Sequence, residues 1–241
     1  MKNCLKTFLS AYERSRSREY LLTTRLVHDL GVAAAVSGYD LLVYLPTVDA
    51  DGFDVIFDDR ERLVAMQLKS MVAKGKAADW KIRRSLLRPR AEDADIFGFT
   101  TPRSGAGRGG GVILTTATAV GEEIEVVYSY TDMFVLSALW SNIVPRQTPR
   151  RRRLLRLKME LESESTGFVA IPRSAFLKAG TPTKLLALAG LRSCMNSEWR
   201  SKMLALLQYE NRPGRVSVDV ESLRDQIGSE LNELSETDTK M

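Results

Sequence analysis

Between Gly52 and Ser70 the chain reads GFDVIFDDRERLVAMQLKS, two strand-like runs separated by four polar residues. Phe53 to Asp58 is rich in β-branched and aromatic side chains, and Leu63 to Lys69 sets Val64, Met66 and Leu68 against Ala65, Gln67 and Lys69. With Asp59 to Arg62 as the loop of a hairpin, Asp58 faces Leu63, and counting back in pairs sets Asp54 opposite Gln67. Lys69 lies two residues beyond Gln67, on the same face and roughly 6–7 Å away. The pattern therefore predicts that Asp54, Gln67 and Lys69 converge.

Around this hairpin the periodicity predicts helices, strands and their stops. Asn3 to Arg18 has helical spacing at Leu5, Phe8, Leu9 and Tyr12, and a second helix is expected from Ser17 to Leu30, stopped by Gly31. Leu41 to Leu45 is an apolar run of the kind a buried strand carries, ended by Pro46. Asp49 to Gly52 reads as a turn, with Asp49 and Asp51 as turn residues. Asp79 to Leu87 is expected to be helical, with Trp80, Ile82, Leu86 and Leu87 inward and Lys81, Arg83, Arg84 and Arg88 forming a cationic face before Pro89. Ser104 to Gly111 is a glycine-rich loop without the Gly-Lys-Ser/Thr ending of a phosphate-binding loop, followed by a strand over Val112 to Thr115. Further on, a strand is expected over Glu123 to Tyr128 and a helix over Asp132 to Ile143 capped by Thr131. Phe168 to Ile171 reads as a return strand, and helices are expected over 183–191, 196–208 and 218–234.

Composition narrows the chemistry. The 241 residues suffice for one good core plus an appendage, with 44% hydrophobic and 27% charged residues. No run reaches the length of a membrane span, so no membrane partner and a cytoplasmic location are expected. Cys4 and Cys194 are too few for a thiolate zinc site, and the lone His28, roughly opposite Glu19 on its helix, reads as structural. A bound metal must therefore be held by oxygen, which favours Mg²⁺ or Mn²⁺. The formal charge of +5 is unevenly spread: 12 Lys and Arg against 5 Asp and Glu between Arg60 and Gly110, and seven basic residues against none between Val144 and Lys158. From Asp219 to Met241 seven acidic residues face two basic ones. A basic middle with an acidic tail suggests a polyanionic partner.

An edge hairpin showing ordinary polar residues to water is the plain reading of the central motif. The order of residues, an Asp, a short turn, then a polar residue, one apolar residue and a Lys, nonetheless resembles the active-site signature of the PD-(D/E)xK nuclease superfamily. Here it stands as Asp54 followed by Gln67-Leu68-Lys69, with Gly52-Phe53 where a proline often precedes the Asp, and Gln67 in the place of the usual carboxylate. The expected element order, helix, three strands, helix, strand, is also that of the restriction-endonuclease-like fold, and the resemblance covers Ser17 to Thr118.

The resemblance implies an α/β (α+β) fold with a mixed central β-sheet flanked by helices: an αβββαβ core within a nuclease-like domain over residues 1–180, and a helical C-terminal extension with an acidic tail over 181–241. It implies Mg²⁺ or Mn²⁺ held by Asp54, the Gln67 side chain, the Leu68 carbonyl and Glu19, with Lys69 beside the attacking water. Lys74, Lys76, Lys81, Arg83, Arg84, Arg88 and the Arg150, Arg151, Arg152, Arg153 cluster are the expected phosphate contacts. The expected activity is endonucleolytic hydrolysis of nucleic acid, DNA first, with a homodimer among the arrangements the resemblance permits. Two alternatives stay open: a nucleic-acid-binding protein of this fold without catalysis, and a protein-interaction adaptor. Gln67, which lowers the negative charge of the site, is what keeps them open.

Overall fold

The computed structural model describes residues 4–46, 52–73, 75, 77–99, 106–144, 151–163, 166–191, 197–212 and 219–235. Its centre is a six-stranded mixed sheet in the order β1-β2-β3-β5-β6-β8, made of β1 (Leu42–Tyr44), β2 (Val55–Asp58), β3 (Leu63–Val72), β5 (Gly111–Val120), β6 (Glu123–Asp132) and β8 (Leu177–Lys178). A separate two-stranded ribbon pairs β4 (Asp79–Arg83) with β7 (Phe168–Pro172). Within the six-stranded sheet only β3 and β5 run parallel. A parallel pair needs a long crossover, and 73–110, which carries β4 and the four-residue helix α3 (Arg84–Leu87), supplies it.

The hairpin register agrees with the sequence count where the ladder runs: Asp58 pairs with Leu63, and the pairing continues to Val55 and Met66. Asp59 closes the loop by accepting the Glu61 and Arg62 N–H groups, which explains why an aspartate can be almost wholly buried there. Arg60 takes the left-handed conformation in that turn.

Two helices precede the sheet. The expected first helix is interrupted at Ala11, leaving α1 (Cys4–Ser10) and a 3-10 turn. The second, α2 (Ser15–Val36), runs straight through Gly31 and stops at Gly38, whose φ is +81°. Gly31 does not end it because Ala33, Ala34 and Ala35 are strong helix formers and Leu22, Leu26, Leu30, Ala33 and Ala34 keep one face buried.

Further expectations are corrected. Strand β1 is an edge strand, half exposed rather than buried, with only β2 beside it. Of the helix expected over Asp79 to Leu87 only Arg84–Leu87 is helical: in Asp79–Arg83, Trp80 and Ile82 alternate with Asp79, Lys81 and Arg83 at period two, and pairing with β7 satisfies their backbone. Asp132, not Thr131, caps α4 (Met133–Trp140), its carboxylate accepting the Val135 N–H. The described part of the glycine loop, 106–110, is bonded along α3 rather than loose: Gly107, Arg108 and Gly110 donate to Pro89, Ser85 and Leu86.

Helices α5 (Arg151–Ser163), α6 (Pro182–Ala189), α7 (Trp199–Asn211) and α8 (Val220–Leu234) follow among the described residues. Pro182 in the first turn of α6, the Thr181 cap and a left-handed Gly190 account for the ends of that helix. Leu185, Leu186, Trp199, Met203 and Leu231 belong to the same hydrophobic cluster as Leu26, Val112 and Leu136. No helix among the described residues is long and apolar enough to cross a membrane.

Candidate functional site

Strand β3 outruns its neighbour. Its pairing with β2 ends at Met66, whereas on its other side it pairs with β5 from Met66 to Val72. A notch opens where β2 is missing, and Asp54 stands at its mouth. The Asp54 N–H donates to the Met66 carbonyl (2.8 Å), one residue short of the partner that strict register would give it. This bulge-like departure turns the carboxylate back across the notch, where Oδ2 accepts the Leu68 N–H at 2.6 Å. In a strand the N–H and C=O of one residue point to the same side, so the Leu68 carbonyl also faces the notch.

The notch is part of a cavity of about 360 Å³ lined by Glu19, Leu22, Thr23, Leu26, Asp54, Gln67, Leu68, Lys69, Ser70 and Thr115. All five residues of the sequence motif, Glu19, Asp54, Gln67, Leu68 and Lys69, therefore share one space. Helix α2 supplies the roof. Glu19, Leu22, Thr23 and Leu26 recur at i, i+3, i+4 and i+7, one helical face. Glu19 is exposed, and Lys69 is half-buried. Gln67 is 7% exposed, and its Oε1 is buried without a hydrogen-bond partner. A buried acceptor left unpaired costs about 1–3 kcal/mol, so it marks a place where a donor or cation is to be expected.

Gly52 shapes the entry to the motif. Its φ is +78°, and a Cβ on it would come within 2.2 Å of Arg83 Cδ. That conformation and that close approach need glycine, which lets the Arg83 stem pack across the entry to Asp54. Arg108 lies over the Phe53 ring on the same approach, 5.7 Å from its centroid.

The donor set fits a hard divalent cation: the Asp54 and Glu19 carboxylates, the orphaned Gln67 Oε1 and the Leu68 carbonyl are all oxygens. It is sparse in charge, and among the described residues no group of three or more His, Cys, Asp or Glu gathers at metal-binding distance.

The basic residues divide. Lys81, Arg152 and Arg153 are exposed, while Arg83 and Arg84 are half-buried. Arg88 is not a surface contact: it is 2% exposed, donates to the Leu161 carbonyl at 2.8 Å and lies over Phe99. Burial lowers its pKa, with Arg84 acting in the same direction. Lys74, Lys76 and Arg150 lie outside the described residues, as do Asp49 and Asp51, and of Arg151 only the backbone is described.

Thr23, Ser70 and Thr115 were not singled out by the sequence. The helical spacing from Glu19 points to Thr23, but Thr115 reaches the cavity only through the pairing of Ser70 with Thr115 between β3 and β5. Two other polar centres hold the fold. Asp29 accepts from Arg25 (2.8 Å) and the Tyr128 hydroxyl (2.8 Å) and meets His28 Nδ1 at 3.1 Å, tying α2 to β6. Burial raises its pKa, but the hydrogen bonds from His28, Tyr128 and Arg25 outweigh it and the net direction is down. Buried Asp132 accepts from Arg200 (2.7 Å), the Tyr130 hydroxyl (3.0 Å) and Val135. A larger cavity, about 840 Å³, lies beside Asp29. Its carboxylate is already engaged on both oxygens, so the unsatisfied chemistry lies in the smaller one.

Comparison with known proteins brings no match: no family model fits the chain, and neither a curated protein nor a solved structure is similar to it.

Proposed function

We propose that this protein is a metal-dependent endonuclease of the PD-(D/E)xK kind, acting on nucleic acid, DNA in the first instance. The observation that carries the proposal is the convergence of Glu19, Asp54, Gln67, Leu68 and Lys69 on one cavity around an orphaned buried Gln67 oxygen. The order of elements, a helix, three antiparallel strands, a crossover and a parallel fourth strand, supports a restriction-endonuclease-like αβββαβ core in which the second helix is reduced to α3.

Asp54, Glu19, Gln67 Oε1 and the Leu68 carbonyl would hold Mg²⁺ or Mn²⁺, which supplies Lewis acidity toward the phosphate and the attacking water. The Leu68 N–H fixes the Asp54 carboxylate in place, so its geometry is set before any ligand arrives. Lys69 orients the attacking water and offers its ammonium to the charge that builds on the phosphorus oxygens. Arg83 and Arg108 beside Gly52-Phe53, with Lys81, Arg84, Arg152 and Arg153 farther out, would bind phosphates without reading sequence.

Incubation with supercoiled plasmid in EDTA, Mg²⁺ or Mn²⁺, beside Lys69→Ala, tests the reading. Nicking that needs metal and is lost in the variant is the expected result. Absence of nicking with gel-shift binding intact would overturn catalysis and leave a binding protein, with Gln67 as the reason.

A further inference from the structure

The β4–β7 ribbon, two strands standing apart from the main sheet, has one buried and one exposed face. Trp80, Ile82, Val169 and Ile171 turn inward and are 9% exposed or less. The other face carries Lys81 paired with Ala170 and Arg83 paired with Phe168. Phe168 is 54% exposed and is the one exposed phenylalanine among the described residues. The Arg83 guanidinium sits 5.4 Å from its ring centroid. The same Arg83 packs its stem against Gly52, two residues before Asp54. One end of this face thus abuts the entry to the proposed active site.

At the other end, Arg153 and Arg156 of α5 border a depression of about 250 Å³ together with Asp79, Glu160, Ala170 and Pro172. Two acidic groups temper the charge there: Arg156 pairs with Glu160 at 2.9 Å, and Arg153 lies 4.0 Å from Asp79. Arg156 remains 81% exposed even so. Four residue steps of ribbon, about 14 Å, separate the two ends. The surface is therefore a band that starts at Arg153 and Arg156, passes Lys81 and finishes at Phe168 and Arg83.

Cations spaced along a strip with an accessible aromatic ring are what a single-stranded nucleic acid needs, phosphates meeting the charges and a base lying on the ring. A duplex keeps its base faces stacked inside and would use the cations alone. We propose that this ribbon face is the track by which single-stranded, or locally unpaired, nucleic acid reaches the Asp54 cavity, with Phe168 stacking on a base. The proposal rests on the nuclease reading and adds the form of the substrate.

Fluorescence anisotropy of the full chain in EDTA, with a labelled unstructured 20-nucleotide strand and the matching duplex, separates the possibilities. Tighter binding of the single strand is expected, reduced roughly tenfold by Phe168→Ala and restored by Phe168→Trp, whose added emission is quenched when the strand binds. Lys81→Ala should lower the salt slope by about 0.7 on the single strand. Circular dichroism confirms that the variants are folded. Equal affinity for both forms, with Phe168→Ala neutral, overturns the track while metal-dependent nicking leaves the nuclease reading standing. Failure of the wild-type protein to bind or cut either form overturns both.

Discussion

Gln67→Glu puts a carboxylate where the PD-(D/E)xK pattern has one, and its cost without metal follows from the notch geometry. Asp54 Oδ2 accepts the Leu68 N–H at 2.6 Å and residues 54 and 67 line the same cavity, so the separation of the two carboxylates is taken as on the order of 6 Å. At an effective dielectric of about 20 their repulsion is about 3 kcal/mol, of which Lys69 offsets part and leaves about 2 kcal/mol. Burial at 7% exposure acts in the same direction, since desolvation also disfavours the charged form. Both effects raise the pKa of the introduced carboxyl above its unfolded value. A carboxyl with a raised folded pKa costs nothing below its unfolded pKa and the full amount above its folded one, so the variant should match the wild-type protein near pH 4 and fall behind progressively to pH 7.

Thermal melting of both proteins in EDTA from pH 4 to 8 measures this directly. The expected deficit at pH 8 is roughly 4–8 °C for a chain of this size. Millimolar Mg²⁺ should then stabilise the variant by more than the wild type, because an ion that binds the folded state more tightly raises its melting point more. A pH-independent difference, or an equal response of both proteins to Mg²⁺, would refute the juxtaposition of positions 54 and 67 and with it the reasoning about the cavity.

Two further substitutions test other parts of the structure. Gly52→Ala forces an L side chain to φ +78° and into Arg83, so it should cost roughly 1–3 kcal/mol by chemical denaturation and weaken plasmid nicking, whereas Gly121→Ala, left-handed but in open space, should keep nicking intact. Arg200→Met leaves buried Asp132 without its 2.7 Å cation, which predicts a loss of about 3–5 kcal/mol in urea unfolding; Gln226→Met, on an exposed helix surface, should stay within about 0.5 kcal/mol.

The hairpin was legible because its information is local. Alternation and loop length fixed the pairing of Asp58 with Leu63, and from it the shared position of Gln67 and Lys69. Where the signal was not local, the sequence misled. Trp80 with Leu87 and Ile82 with Leu86 satisfy a helical spacing as readily as Trp80 and Ile82 satisfy a strand alternation, and what decides is β7, more than eighty residues away in the chain, which pairs with them. Gly31 looked like a stop because glycine often ends helices, yet the stop also needs the apolar face to end, and here it continues through Ala33 and Ala34. Arg88 looked like surface charge because nothing in its neighbourhood announces that Leu161 and Phe99 enclose it.

The same distinction bears on function. A local motif can specify which groups meet, but not what approaches them, because the approach is built from segments distant in sequence. Gly52 and Arg83 are thirty-one residues apart and Phe168 is farther still, yet they form one edge of the site. Gly52 is therefore more than a turn residue. It is the position at which the ribbon reaches the β2–β3 hairpin, since any side chain there would be strained at φ +78° and would leave no room for the Arg83 stem. Gln67 allows a parallel argument. A buried amide oxygen without a partner is costly in the free protein, and the same atom gains its missing partner when a cation or a donor enters the cavity. A substitution that only disabled the site would have no reason to keep an acceptor facing it, where Leu or Met would fill the same volume at less cost.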